Sequence, residues 1–107
     1  MKFKVFIVSN AEEDILEIYK FVTQNDSKAN AFQLVSEFEK AFEGLSYLPE
    51  RGHIPPEMER IGIYDFREIH YKPYRIIYRI LEKSVFVYSV LDGRRNLSEL
   101  LEKRLLR

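Results

Sequence analysis

Alternating hydrophobic and polar positions open the chain and return in its second half. Residues 2–8 alternate and are rich in β-forming side chains, which predicts a first strand with Phe3, Val5 and Ile7 on one face. Three further segments of the same kind are separated by short turns. Consecutive strands with tight turns predict an antiparallel meander. The three segments are residues 64–71, 73–81 and 84–91.

Hydrophobic positions at helical spacing lie between the first strand and this meander. Asn10 can cap a first helix, and Glu13 three residues later can complete a capping box. The polar residues 24–27 end that helix, and Asp26 or Ser27 can cap a second helix of about four turns. Two helices joined by so short a link predict an antiparallel hairpin.

An irregular loop and a last helix complete the predicted order. Proline and glycine recur through residues 49–62, whereas Asn96 and Glu99 repeat the capping-box pattern before a stripe of leucines. The order β-α-α-β-β-β-α predicts an α+β fold, in which an antiparallel sheet packs against the N-terminal helical hairpin. A chain of 107 residues has the usual size of one domain, so we expect a single domain over residues 1–107.

The predicted strand at residues 73–81 has two different faces. Because side chains alternate along a strand, its tyrosines and two of its isoleucines share one face, and Arg75 and Arg79 lie on the other. We assign the tyrosine and isoleucine face to the core. The arginine face is either a partner surface or a covered surface, on which the arginines pair with Glu68 or Glu82.

Charge and composition narrow the possible functions. The total charge is zero, but residues 1–50 carry a net charge of −4 and residues 51–107 a net charge of +4. A local basic patch can orient a molecule toward an anion or an acidic partner protein. The chain has no cysteine, and His53 and His70 alone are a poor basis for zinc, so we expect neither metal nor cofactor. No stretch approaches the roughly 20 apolar residues that span a bilayer, so we expect cytoplasmic residence and no membrane partner.

The order and spacing of these segments resemble the RelE/ParE superfamily of bacterial toxins from type II toxin–antitoxin systems. The resemblance covers nearly the whole chain and implies neutralisation by a small antitoxin of the ParD or RelB kind. It rests on the first strand running into Ala11-Glu12-Glu13-Asp14-Ile15, the second helix ending at residues 45–52, the strand Tyr74-Arg75-Ile76-Ile77-Tyr78, and the step Gly93-Arg94-Arg95.

Two branches of this superfamily imply different targets. RelE-like members cleave mRNA on the ribosome, whereas the ParE branch is associated with poisoning DNA gyrase by binding. If the chain is a ribosome-dependent endoribonuclease, Arg75 and Arg95 resemble the family's phosphate-binding arginines. Glu57 then lies in the loop where one subgroup keeps a general base, and His70 is a candidate acid. The nuclease branch keeps a tyrosine or histidine near its C-terminal end, but this chain has neither after Tyr88.

We therefore favour the ParE branch and a toxin that inhibits gyrase by binding. The helical hairpin supports this choice, and Asp92-Gly93-Arg94-Arg95-Asn96 resembles the branch's frequent His-Gly-Arg-Arg-Asp, with Asp92 in place of histidine. A further alternative is a degenerate member that binds antitoxin without being toxic. The predicted target or phosphate contacts are Arg75, Arg79, Arg94 and Arg95. The predicted antitoxin contacts, which also suit a core, are Leu97, Leu101 and Leu105.

Overall fold

The computed structural model of this chain describes residues 2–94 and 97–105, and its elements follow the predicted order with two additions. Inside the segment predicted as an irregular loop, one turn of 3₁₀ helix spans Pro49–Arg51 and a short helix spans Pro56–Glu59, each with a proline in its first turn. The elements are β1 (Lys4–Ile7), α1 (Ser9–Asn25), α2 (Lys28–Tyr47), α3 (Pro56–Glu59), β2 (Phe66–Tyr71), β3 (Tyr74–Leu81), β4 (Ser84–Asp92) and α4 (Leu97–Leu105).

The four strands form one sheet in the order β1-β4-β3-β2. The α+β class is confirmed, and β2, β3 and β4 form the predicted antiparallel meander. The sheet is nevertheless mixed, because β1 runs parallel to β4, with Lys4 opposite Ser84 and Ile7 opposite Val87. The alternating pattern of β1 carries no information about direction, and no tight turn joins β1 to its neighbour.

The two helices of the hairpin begin differently. The predicted capping box of Asn10 and Glu13 is wrong, because α1 begins at Ser9 with Val8 as its N-cap and no side-chain cap. Val8 continues the sheet instead, since its amide donates to the Val87 carbonyl over 3.0 Å. The predicted cap of α2 is confirmed, because Ser27 Oγ accepts a hydrogen bond from an amide in the first turn.

The core between the sheet and the hairpin uses the face of β3 that the sequence predicts. Tyr78 is fully buried there, and its hydroxyl donates to the Pro49 carbonyl over 2.6 Å and accepts from the Gly52 amide over 3.0 Å. A Cβ atom at Gly52 would lie 2.5 Å from that hydroxyl and 2.6 Å from the Glu68 carbonyl oxygen. Tyr78 therefore fixes the segment after α2 against the sheet.

A second, smaller core covers the opposite face of the sheet. Ile77 of β3 packs there with Met58 of α3 and Leu97 of α4. The pairing of β3 with β4 shifts between Ile77 and Tyr78, because Ile77 lies opposite Ser89 and Tyr78 opposite Val87. The sheet is thus covered by the hairpin on one side and by α3 and α4 on the other.

A buried carboxylate connects α4 to α1. Asp14 accepts hydrogen bonds from the hydroxyl of Ser89 over 3.1 Å and from the amide of Val90 over 3.0 Å. Arg104 donates two more, over 2.5 and 3.0 Å, and its hydrogen bonds with Asp14 raise the pKa of the guanidinium. Since a buried charge needs both a partner and hydrogen bonds, Arg104 completes the environment that Asp14 requires.

Replacing Tyr78 with phenylalanine tests the role of its hydroxyl. The Tyr78→Phe variant leaves the Gly52 amide and the Pro49 carbonyl without their buried partner. We expect the free energy of unfolding, measured by urea denaturation, to fall by about 1–3 kcal/mol. Tyr64→Phe is the control, because that side chain is exposed. Equal stabilities of the two variants would contradict the proposed role.

Candidate functional site

An open cavity of about 340 Å³ lies beside α3, where β2 ends and β3 begins. Three residues that the sequence indicates for nuclease chemistry line it together, namely Glu57, His70 and Arg75. The strand register explains part of this grouping. His70 lies opposite Arg75 and Glu68 opposite Ile77, so alternate positions on the two strands share the face that α3 covers.

Arg75 is the centre of the site, and its side chain is only 11% exposed. Nε donates to Glu68 Oε1 over 2.5 Å and Nη2 to Glu68 Oε2 over 3.0 Å. Nη1 and Nη2 donate to the two oxygens of Glu57 over 2.7 and 2.9 Å. All three guanidinium nitrogens are thus engaged by carboxylates. The predicted pairing of Arg75 with Glu68 is confirmed, on a surface that is covered.

Arg75 and each of its two carboxylate partners stabilise each other's charged forms. The hydrogen bonds from Arg75 lower the pKa of Glu57 below its ordinary value of 4.5. Burial opposes ionisation of Glu68, but the hydrogen bonds from Arg75 and His70 still bring its pKa below 4.5. The bond with Glu57, followed by the bond with Glu68, raises the pKa of Arg75. Both carboxylates are therefore ionised at neutral pH, and neither is tuned to act as a general base there.

Two histidines flank the buried carboxylate of Glu68. His70 Nε2 lies 3.1 Å from Glu68 Oε1, and His53 Nε2 lies 3.2 Å from Glu68 Oε2. The two rings meet edge to face with their centroids 5.4 Å apart. A backbone bridge holds His53 in place, since His53 and Glu68 exchange amide-to-carbonyl hydrogen bonds of 3.1 and 2.7 Å.

This arrangement adds a third possible metal ligand to the two histidines. Two histidines alone are a poor basis for a metal site, but the structure places a carboxylate between them. Within residues 2–94 and 97–105, His53, Glu68 and His70 form one group whose ligand atoms all lie within 4.8 Å of one another. The spacing of Glu68 and His70 in the strand signals their shared face, whereas His53 comes from a loop and has no such signal.

Arg79 and Arg94 lie outside the ion-pair network of Arg75. Arg79 lies over the Phe66 ring, with 6.0 Å from its guanidinium carbon to the ring centroid. Arg94 is 82% exposed in the turn after β4, and its Nε and Nη2 donate to the two oxygens of Asp92 over 2.9 and 2.5 Å. Arg94 is therefore the most accessible of the predicted contacts that the structure describes.

Gly93 allows the turn after β4 to lie close to the β2–β3 turn. Its amide donates to the Pro73 carbonyl over 2.6 Å, and a Cβ atom would lie 2.8 Å from the same oxygen and 3.4 Å from Arg75 Cγ. A side chain would therefore push the turn that carries Arg94 away from the β2–β3 turn.

The remaining predicted residues lie near the C-terminal end. Arg95 and the side chains of Leu101 and Leu105 are outside the described part of the chain. Leu97 is fully buried in the second core, so its side chain contributes to that core and not to an exposed surface. Among the described residues, no helix is long and apolar enough to cross a membrane.

Comparisons with known proteins agree with one another. A family model described as "ParE toxin of type II toxin-antitoxin system, parDE" matches residues 5–97. Toxin ParE3 of Caulobacter vibrioides is 29% identical over 91 residues, which cover 85% of this chain and 87% of that protein.

Solved structures with the same fold include two from toxin–antitoxin systems. A chain of the chromosomal ParDE system from P. aeruginosa aligns with a TM-score of 0.71 and 14% identity, covering 85% of this chain and 96% of that one. A chain of the RelBE2 toxin–antitoxin complex from Mycobacterium tuberculosis aligns with a TM-score of 0.62 and 21% identity, covering 86% and 92%.

A double-mutant cycle tests the coupling of Arg75 to Glu68. Arg75→Gln leaves the buried Glu68 carboxylate without its main partner, so we expect the free energy of unfolding to fall by about 3–5 kcal/mol. Adding Glu68→Gln removes the uncompensated charge and should recover part of this loss. Urea denaturation of the single and double variants measures the coupling. Arg79→Gln is the control, and an equal loss from R75Q and R79Q would argue against a special role for Arg75.

Proposed function

Because this chain belongs to the ParE toxin family of type II toxin–antitoxin systems, we propose that it inhibits DNA gyrase by binding and that a cognate antitoxin neutralises it. The family assignment rests on the match over residues 5–97. The ParE branch, which the sequence resembles, is associated with gyrase poisoning. Because gyrase acts on DNA in the cytoplasm, the proposal also implies that the toxin acts there.

The observation that supports this proposal most is that Arg75 is already paired with two carboxylates, those of Glu57 and Glu68. A ribonuclease without a metal needs a cation for the phosphorane and groups that take and donate protons. Two carboxylates already engage Arg75, so a phosphate approaching it would also meet Glu57 and Glu68. The lowered pKa of Glu57 makes that residue a weak proton acceptor. These contacts favour binding over cleavage.

Arg94 is the leading candidate for contact with gyrase. Its side chain is 82% exposed, and it lies in the turn that Gly93 holds against the β2–β3 turn. The Asp92 carboxylate keeps it in a defined orientation. An oriented, exposed guanidinium suits a carboxylate on a protein partner, since both groups are planar and can form two parallel hydrogen bonds.

The antitoxin is the second proposed partner. The two structural neighbours come from a ParDE system and from a RelBE2 toxin–antitoxin complex, which supports an antitoxin of the ParD or RelB kind for this chain. Contact through Leu101 and Leu105 stays a prediction. Leu97 does not share it in this conformation, because its side chain is fully buried.

A supercoiling assay with purified gyrase tests the favoured function. We expect the wild-type toxin to inhibit supercoiling and its cognate antitoxin to restore it. Arg94→Ala should raise the inhibitory concentration about tenfold, because it removes a charged contact. Lys40→Ala is the matched control, since Lys40 is also exposed and also pairs with an acid a few residues away in the sequence. Full gyrase activity at saturating toxin would refute the proposal.

An alternative function is ribosome-dependent cleavage of mRNA, which is favoured by the meeting of Glu57, His70 and Arg75 in one cavity. His70→Gln is the better test, because changing Arg75 also threatens the fold. If the gyrase proposal is right, H70Q and the Glu59→Gln control still arrest growth, and the mRNA profile after induction stays unchanged. Cleavage of mRNA by sub-stoichiometric toxin, lost in H70Q and kept in E59Q, would establish the nuclease.

A folded toxin that binds antitoxin tightly but causes no growth defect would instead be a degenerate member.

A further inference from the structure

We propose that His53, Glu68 and His70 form a binding site for a divalent transition-metal ion of the zinc class. The three residues offer two imidazole nitrogens and one carboxylate, a donor set that such ions prefer. Their ligand atoms all lie within 4.8 Å of one another. This site is independent of the proposed action on gyrase.

The distances between the donors suit a shared ion. Ligands that bind zinc at about 2.0–2.2 Å lie about 3.0–3.5 Å from one another around the ion. The two imidazole nitrogens lie 3.1 and 3.2 Å from the nearest oxygens of Glu68. Since the ligand atoms of the three residues lie within 4.8 Å of one another, an ion that binds all three draws these side chains closer together.

The backbone fixes the ligands before any ion arrives. His53 and Glu68 face each other across a two-hydrogen-bond bridge, and His70 follows Glu68 by two residues on the same strand face. Glu68 is also oriented by Arg75, which donates to both of its oxygens. A ligand held by an outer partner in this way loses little freedom when it binds a metal.

Access to solvent favours a cation here, whereas the charge of the cavity does not. Glu57 and Glu68 place two carboxylates against the single guanidinium of Arg75, so this trio carries a net charge of −1. Arg60 and Lys72 line the same cavity and oppose binding through charge alone. The selectivity should therefore come from the imidazoles, and oxygen-seeking ions such as Mg²⁺ should not bind. The histidine side chains are 61% and 50% exposed, which leaves the site open to solvent.

Titration of the untagged full-length chain with ZnCl₂ tests the site, with Co²⁺ absorption as a second probe. The chain has two histidines and no cysteine, so every imidazole signal comes from His53 or His70, and the two single variants distinguish them. We expect one ion per chain, and His53→Gln and His70→Gln should each weaken binding at least about tenfold. Glu59→Gln, on an exposed position of α3, should bind as the wild type does.

Imidazole ¹⁵N NMR of the same samples separates a built site from casual surface binding. Saturation with Zn²⁺ should shift the Nε2 signals of both histidines, and Mg²⁺ should shift neither. Unchanged ¹⁵N signals at saturating zinc would overturn the proposal. So would equal affinities of the wild type, H53Q and H70Q, with circular dichroism showing that all three are folded.

Discussion

The ion-pair network of Arg75 is the interaction on which the candidate site depends. One guanidinium joins β3 to Glu68 on β2 and to Glu57 on α3, so a strand pair and the loop that follows the hairpin become one unit. Burying three charged groups is costly unless each finds its partner. The loop must therefore fold onto the sheet in one arrangement, and the cavity beside α3 follows from that arrangement.

Local structure follows closely from the sequence. The alternation in β3 indicates which side chains enter the main core, and Tyr78 lies where that pattern predicts. The Ser27 cap and the two turns of the meander are likewise set by residues within a few positions of one another. The order of these segments also supports the superfamily, which the match over residues 5–97 confirms.

Contacts between distant segments do not follow from such patterns. The direction of β1 depends on β4, which follows it in the chain only after the helical hairpin and two other strands. Val8 caps α1 because the sheet extends to it, so the local signal of Asn10 is overridden. The sequence shows that Arg75 and Glu68 can pair, but not that Glu57 joins them, nor that His53 meets Glu68 across a bridge. The site thus combines a predictable strand face with a loop whose position only the tertiary structure determines.

The position of β4 in the sheet also constrains how this protein can be made. β4 lies between β1 and β3, but of these four strands it is the last to leave the ribosome. Until residues 84–92 emerge, β1 has no neighbouring strand to pair with. The nascent chain therefore exposes the unpaired edges of β1 and the apolar faces of the helices that pack on the finished sheet. A chain that stops before β4 therefore cannot join β1 to the rest of the sheet.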